Sequence, residues 1–225
     1  MAASASWDGF TYFTNDKSFL DYIRRGQSEP YGGSIPHISI VKQYIAKYPS
    51  RNRTMLDVGA HIGTTMLPYS RLFNRVDGYE PNKATYNLCL QNISHNKVTN
   101  CKVENSAILD RIITGKSVPH STSNDGCIFF KEDRTGEVTS KVLDNDPTLQ
   151  EVDFIKIDTE GAELLVIKSA LNIIKKCKPL IQAEMNGLSE RNFNIPASEL
   201  LTLLSDLGYS CIPNTDFFMH REYLF

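Results

Sequence analysis

Two groups of residues in this 225-residue chain have the types and spacing needed to bind an adenosine-containing cofactor. The first is a glycine-cornered loop, residues 57–63, which follows a short apolar run. The second is Glu80, which closes the next apolar run. Glycines let the backbone approach a ligand closely, and an acid at the neighbouring strand end can accept hydrogen bonds from two ribose hydroxyls. The two groups together predict a nucleoside-binding α/β sheet.

The first loop position distinguishes between cofactors. A dinucleotide-binding loop has the pattern G-x-G-x-x-G, whereas here Asp57 takes the place of the first glycine and only Gly59 and Gly63 remain. A carboxylate would repel a pyrophosphate, but it would attract the ammonium and sulfonium groups of S-adenosylmethionine. The loop therefore favours S-adenosylmethionine over a nicotinamide cofactor.

A third group of residues places acids where a substrate would react. The apolar run 152–157 ends in Asp158 and Glu160, and the run 179–185 ends at Glu184. Ligands of open α/β sheets lie outside the carboxyl ends of the strands, so these acids are expected to face the cofactor loop. We predict Asp158, Glu184 and Glu160 as the catalytic residues, with Asp158 the first choice for the base. Lys156 points to the same side as Asp158 and is expected to pair with an acid.

Three of these side-chain oxygens also suit a hard divalent cation. Asp158, Glu184 and Asn186 would lie at adjacent strand ends, and Mg²⁺ or Mn²⁺ is commonly held by carboxylates together with waters and substrate oxygens. Alternatively, Glu184 and Asn186 hydrogen-bond only the substrate or the loop backbone. The sequence leaves both interpretations open.

The elements that must position these residues alternate along the chain. The pattern predicts strands at 54–58, 75–80, 101–105, 152–157 and 180–185, and helices at 63–73, 82–95, 162–175 and 197–207, with final strands at 209–212 and 217–223. Pro68 should shorten or kink the first of these helices. The predicted fold is a doubly wound, mostly parallel Rossmann-like sheet of about seven strands, with helices on both faces.

Two further segments are predicted outside this pattern. Residues 1–50 read as a helical lid with helices at 17–25 and 34–48, and residues 51–225 as the single catalytic domain. Residues 114–126 read as a flexible loop. A hairpin over 128–130 and 138–142 would follow it and insert into the sheet.

The composition narrows the function classes. The net charge is −2, from 24 basic and 26 acidic residues spread along the chain, which argues against a nucleic-acid or membrane surface partner. The five cysteines have no C-x-x-C spacing, and no apolar run is long enough to span a bilayer. We therefore expect a cytoplasmic protein that acts on a small neutral or polar molecule.

Five segments carry a family resemblance. In them the chain resembles the FkbM-type S-adenosylmethionine-dependent methyltransferases, over residues 54–186. The segments are 56–63 (LDVGAHIG), 78–82 (GYEPN), 92–96 (NISHN), 143–144 (LD) and 153–163 (DFIKIDTEGAE).

The resemblance implies an activity and a setting. Members of this family are O-methyltransferases of sugars and of polyketide hydroxyls, so the implied acceptor is a glycan or glycosylated metabolite, for example a deoxyhexose such as rhamnose. Some members are fused to glycosyltransferases, which implies such an enzyme as a partner. The implied location is the cytoplasm of a bacterium or of a virus-infected host cell.

The resemblance also assigns cofactor contacts by position. It implies that the glycine loop cradles the methionine part, that Glu80 holds the ribose and that residues 105–107 border the adenine. This chain departs from the family pattern at His61, where asparagine is usual, and at Pro68. The predicted cofactor-binding residues are Asp57, Gly59, Ala60, His61, Gly63, Thr64, Glu80, Pro81, Asn105, Ser106, Ala107 and Asp158.

Two other functions use the same features. An RNA ribose 2′-O-methyltransferase would share the cofactor fold, but it needs lysines in the site and a basic groove for phosphates. A non-catalytic partner subunit would bind the cofactor without transferring the methyl group. Three acids at Asp158, Glu160 and Glu184 argue against that interpretation, because unpaired acids in a cleft are costly unless they are used.

Overall fold

A seven-stranded sheet forms the centre of the computed structural model, which describes residues 2–15, 17, 20, 38–119 and 128–223. In spatial order its strands are β11 (Tyr209–Cys211), β12 (Phe217–His220), β10 (Leu180–Ala183), β9 (Val152–Ile157), β3 (Thr54–Val58), β4 (Arg75–Tyr79) and β5 (Cys101–Glu104). The strands from β10 to β5 pair in parallel, and β12 runs antiparallel to both of its neighbours. The predicted doubly wound, mostly parallel sheet is confirmed.

Helices cover both faces of this sheet because successive strand residues point to opposite sides. Met55 packs in one buried cluster and Leu56 in another, and neither side chain is exposed to solvent. None of the helices in the described part of the chain is long and apolar enough to cross a membrane. They are α1 (Ile38–Lys47), α2 (Met66–Tyr69), α3 (Lys83–His95), α4 (Glu163–Ser169), α5 (Leu171–Cys177), α6 (Leu188–Phe193) and α7 (Ala197–Asp206).

The starts of two helices reflect single residues of the sequence. The Asn82 side chain accepts hydrogen bonds from the backbone N–H groups of Ala84 and Thr85, at 2.9 and 3.1 Å, and so caps α3. The helix α2 is shorter than the predicted 63–73 and contains Pro68 in its first turn. Proline fits there because backbone N–H groups of a first turn have no partner within the helix.

The predicted helix 162–175 is wrong in one respect, because it is broken in two. Ala170 leaves helical geometry at φ −122° and ψ 20°, between α4 and α5. The carboxylate of Asp144 accepts hydrogen bonds from the backbone N–H groups of Asn172 and Ile173, at 2.8 and 3.0 Å. A side chain distant in sequence therefore caps α5 and stabilises the break.

The N-terminal segment begins with a hairpin, ahead of the two predicted helices. Strands β1 (Ala3–Trp7) and β2 (Phe10–Thr14) form an antiparallel hairpin, joined by Asp8 and Gly9 at φ +46° and +74°. Positive φ at both positions is typical of the type I′ turns that Asp-Gly pairs favour, a signal that the helical prediction overlooked. The predicted helix 17–25 lies outside the described residues apart from positions 17 and 20. The predicted helix 34–48 is seen as α1.

A second, three-stranded sheet replaces the predicted hairpin. Its strands are β6 (Thr114–Pro119), β7 (Ile128–Glu132) and β8 (Val138–Thr139), and β6 pairs with both of the others. The prediction that β7 and β8 pair with each other and insert into the main sheet is wrong. The cause is β6, which lies in a segment rich in Thr, Ser and Gly that was predicted to be a loop.

An ion-paired cluster fastens the start of β3 to β9. Asp153 is completely buried and accepts hydrogen bonds from Arg51 at 3.2 Å and from the Arg53 guanidinium at 2.7 and 2.9 Å. We expect Asp153→Ala to lower the free energy of unfolding by about 3–5 kcal/mol, because it leaves two guanidinium groups without their shared carboxylate. Chemical denaturation monitored by circular dichroism measures this loss.

Glu151 provides the matched control for this prediction. It pairs with the same Arg53 at 2.7 Å but is largely exposed. Glu151→Ala should change the free energy of unfolding by no more than about 1 kcal/mol, because solvent screens exposed pairs. Similar losses in the two variants would contradict a special role for the buried carboxylate.

Candidate active site

A cavity of about 250 Å³ opens at the carboxyl ends of the parallel strands. Many of the predicted site residues line it, and no described residue of positions 1–50 does. The predicted residues in the lining are Gly59, His61, Thr64, Glu80, Pro81, Ser106, Ala107, Asp158, Glu160 and Glu184. The lining also contains residues that were not predicted to form the site: Val58, Thr65, Tyr79, Ile108, Leu109, Ile128, Phe130, Lys156, Thr159 and Ala162.

The loop after β3 has an unusual backbone. Gly59, His61 and Gly63 all have positive φ, at +86°, +51° and +87°. Such values cost a non-glycine residue free energy, so His61 must be held in place by its surroundings. The backbone N–H of His61 donates to Glu80 at 2.9 Å, and the N–H of Gly63 donates to the carbonyl oxygen of Ala60 at 2.8 Å. Ala60 and Gly63, which were also predicted to bind the cofactor, belong to this loop but do not line the cavity.

Glu80 lies at the end of β4 with both carboxylate oxygens engaged. One oxygen accepts the His61 N–H and the other accepts the Asn82 N–H at 2.8 Å. Each carboxylate oxygen has a second lone pair, which leaves capacity for ligand hydroxyls. Burial raises the pKa of Glu80 to about 7, against the lowering effect of these two hydrogen bonds. Glu80 can therefore both brace the loop and accept hydrogen bonds from a ligand.

Asp57, which was predicted to contact the cofactor, is not among the residues that line the cavity. Its side chain is fully buried beneath the loop and lies 3.2 Å from the ammonium of Lys156. Burial raises the pKa of Asp57, and Lys156 opposes this effect. Lys156 thus supplies the opposite charge that this carboxylate needs, because an unpaired buried charge would be very costly.

Lys156 connects the cofactor loop to the acids, as its predicted pairing requires. Its ammonium lies 3.2 Å from Asp57, 3.3 Å from Asp158 and 2.9 Å from the carbonyl oxygen of Gly59. Burial acts to lower the pKa of Lys156, but attraction to Asp158 and Asp57 outweighs it and raises the pKa. The side chain is therefore charged, and it fixes Asp158 relative to the loop.

Three acids of the cavity lining lie close together. Asp158, Glu160 and Glu184 can bring one oxygen each within 4.8 Å of one another. Burial and the neighbouring Asp158 carboxylate raise the pKa of Glu184 to about 8. Burial also acts to raise the pKa of Asp158, but Lys156 and a hydrogen bond with Glu184 lower it overall. At neutral pH the two carboxyl groups therefore share one proton.

Two further predicted site residues form hydrogen bonds to residues of the cavity lining. The Asn105 side chain donates to the carbonyl oxygens of Glu80 and Pro81, at 2.9 and 3.0 Å, and does not line the cavity. Asn186 donates to Glu184 at 2.9 Å and also lies outside the cavity lining. The carboxylate of Glu160, which was not part of the predicted cation site, lies close to those of Asp158 and Glu184.

The loop Asp158 to Gly161 is held by a residue beyond it. One oxygen of Glu163 accepts hydrogen bonds from the N–H groups of Thr159 and Gly161, at 3.1 and 3.0 Å, and from the Thr159 hydroxyl at 3.0 Å. Glu160 adopts φ +57° within this turn. Glu163 thereby fixes the strand end from which Asp158 projects.

The chain was compared with known proteins. Among solved structures it is similar to a methyltransferase FkbM from Methylobacillus flagellatus KT, at 21% identity and a TM-score of 0.48, covering 76% of this chain and 44% of that one. It is also similar to a 16S rRNA methyltransferase of T. thermophilus, at 15% identity and a TM-score of 0.45, covering 98% and 50%. A third is the magnesium protoporphyrin IX methyltransferase of Synechocystis PCC 6803, at 10% identity and a TM-score of 0.46, covering 78% and 68%.

Sequence comparison gives a more direct result. No curated protein sequence matches the chain. The sequence model of the methyltransferase FkbM domain matches residues 57–211, which begin at the loop below the cavity and extend through all of its acidic residues to β11. The chain therefore belongs to the FkbM family of S-adenosylmethionine-dependent methyltransferases.

Proposed function

We propose that this protein transfers the methyl group of S-adenosylmethionine to a hydroxyl of a sugar or glycan, for example a deoxyhexose such as rhamnose. The proposal rests on the Asp158–Glu184 pair, which shares one proton on the cavity wall and is joined to the cofactor loop through Lys156. Such a pair can take up the proton that a hydroxyl must lose.

The charge of the cavity favours a neutral, hydroxyl-rich acceptor. Its lining contains four acids, namely Glu80, Asp158, Glu160 and Glu184. The lining also contains Lys156, but the ammonium of this residue is already paired with Asp57 and Asp158. Carboxylates accept hydrogen bonds from hydroxyls and repel phosphates, so this lining suits a sugar better than a nucleic acid.

The proposed reaction is an in-line displacement. The acceptor oxygen attacks the methyl carbon, the sulfur–methyl bond breaks, and the products are S-adenosylhomocysteine and a methyl ether. The hydroxyl proton passes to the carboxylate of Asp158, which Lys156 keeps ionised. Alignment of the oxygen with the methyl group by Glu184 and Glu160 would supply much of the rate.

A divalent cation offers a second way to activate the hydroxyl. Asp158, Glu160 and Glu184 have the oxygen ligands that Mg²⁺ or Mn²⁺ prefers, and their carboxylate oxygens come close enough to share one ion. Such an ion would displace the shared proton from Glu184 and lower the pKa of a bound hydroxyl.

Mass spectrometry with labelled S-adenosylmethionine tests the proposal. Candidate glycans and free sugars are incubated with the protein, with and without a chelator, and an RNA pool serves as the competing acceptor. We expect label in the sugar fraction. Label in RNA alone would contradict a sugar acceptor, and loss of transfer with the chelator would assign the activation to a cation.

The pKa of Glu80 predicts an unusual pH dependence. Because this pKa is raised from 4.5 to about 7, the ionised form that best accepts ribose hydroxyls is lost as pH falls below 7. We expect the affinity for S-adenosylmethionine to fall between pH 8 and pH 6, measured by isothermal titration calorimetry.

The raised pKa of Glu80 also affects the stability of the ligand-free protein, with the opposite dependence on pH. Between pH 4.5 and pH 7 the folded state binds the Glu80 proton and the unfolded state does not, so this group's contribution to stability increases as pH falls. Glu80→Gln is the control, since it should flatten both pH dependences. Unchanged pH dependences in Glu80→Gln would assign them to another group.

A further inference from the structure

Asn92 connects helix α3 to the N-terminal hairpin and to the cofactor loop. It is completely buried in helix α3. Its carbonyl oxygen accepts the backbone N–H of Phe13 at 2.7 Å, and its NH₂ group donates to the carbonyl oxygens of Phe13 at 3.2 Å and Ile62 at 2.9 Å. One side chain therefore binds the N-terminal hairpin and the cofactor loop together.

Asn96, one turn later, binds the same hairpin without reaching the loop. Its side chain accepts the N–H of Thr11 at 2.9 Å and donates to the carbonyl oxygen of Thr11 at 2.7 Å. It also donates to the backbone of Asn92 at 2.8 Å. The side chains of Asn92 and Asn96 thus form hydrogen bonds with the backbone of β2, as a neighbouring strand would do at the edge of a sheet.

The contact to Ile62 matters because of the loop it holds. Ile62 lies between His61 and Gly63, which both have positive φ. Glu80 fixes the loop on one side through the His61 N–H, and Asn92 fixes it on the other through the Ile62 carbonyl oxygen. Removal of the Asn92 side chain would take this hydrogen bond away from the buried Ile62 carbonyl oxygen. Because an unsatisfied buried carbonyl is costly, other loop conformations would then be favoured.

We propose that Asn92 is a positioning residue for the S-adenosylmethionine loop and that it couples the loop to the N-terminal hairpin. The inference rests on the proposed cofactor contacts of residues 59–64. The hairpin lies outside residues 57–211, so the coupling recruits a part of this chain beyond the matched family domain. Because coupling is reciprocal, cofactor binding must also stabilise the docked hairpin.

Hydrogen exchange with Asn92→Ala and Asn96→Ala tests this inference. Both variants should speed exchange of the hairpin amides at positions 11–13. Only Asn92→Ala should speed exchange in residues 59–64, because only Asn92 contacts the loop. The dissociation constant for S-adenosylmethionine should rise roughly tenfold in Asn92→Ala and change less than about twofold in Asn96→Ala, as expected for one lost buried hydrogen bond.

Wild-type protein gives an independent readout that needs no variant to fold. Addition of S-adenosylmethionine should slow exchange of the Phe13 amide, which donates to Asn92. Unchanged Phe13 exchange would overturn the coupling, as would equal loop exchange in the two alanine variants. If the wild type did not bind S-adenosylmethionine, the proposed function would fail, whereas loop exchange in ligand-free Asn92→Ala would still decide the positioning role.

Discussion

Asp158→Asn is expected to reduce the rate of methyl transfer by about 10²- to 10⁴-fold, the range typical of a lost general base. Asparagine keeps the shape of the side chain but cannot accept a proton. Lys156 would keep its ion pair with Asp57 at 3.2 Å, so the cofactor loop should remain held. Single-turnover transfer to the acceptor found by mass spectrometry measures the rate, and calorimetry measures cofactor affinity.

Glu184→Gln is the companion variant. It keeps Asp158 as the proton acceptor but removes the carboxyl group with which Asp158 shares a proton. In the wild type the transfer rate should rise as pH increases through about 8, where Glu184 loses the shared proton and the pair becomes a stronger base. Glu184→Gln should remove this step in the pH–rate profile. For the first variant, a rate of methyl transfer in Asp158→Asn equal to that of the wild type would exclude Asp158 as the proton acceptor.

Much of the sheet was predictable because its strands are buried on both faces. In β3 and β9 nearly every residue is apolar or lies in an ion pair, and such runs stand out against the polar turns between them. The acids after these runs also had a predictable place, since parallel strands end at one edge. Glu80, Asp158 and Glu184 accordingly line one cavity.

The errors have identifiable physical causes. The break between α4 and α5 depends on Asp144, which is distant in sequence, and no local pattern reveals such a cap. Strand β6 is polar and glycine-containing, so its strand character depends on pairing with β7 and β8 rather than on its composition. The N-terminal hairpin, in contrast, could have been predicted from local sequence, because the Asp8-Gly9 pair is a turn signal.

Within the site, the sequence indicated residue types better than contacts. Asp57 was expected at the cofactor because its charge suits a sulfonium, but its type did not reveal that its carboxylate is fully buried and pairs with Lys156. Period-two alternation places Lys156 beside Asp158, but it does not reveal that the same ammonium also reaches the Gly59 carbonyl oxygen. Such contacts depend on how two strands and a loop approach one another in space.

Gly59→Ala is expected to have the largest effect on cofactor binding, raising the dissociation constant for S-adenosylmethionine on the order of 100-fold or more. A Cβ at this position would lie 1.7 Å from the carbonyl oxygen of Asp158 and 2.8 Å from its carbonyl carbon. These are backbone atoms that cannot rotate away, so the loop and the strand end must separate. Separation would also pull the Gly59 carbonyl oxygen from Lys156 and displace Asp158.

Gly187→Ala isolates this steric effect from the cost of the backbone conformation. Gly187 has φ +80°, close to the +86° of Gly59, but a Cβ there would meet nothing within 4 Å. Both variants lose about 1–2 kcal/mol because a side chain disfavours positive φ. Only Gly59→Ala adds the clash, so calorimetry and denaturation should show a much larger loss for it. Equal losses in the two variants would mean that backbone strain alone matters, and that the close approach of the loop to Asp158 does not hold the cofactor site together.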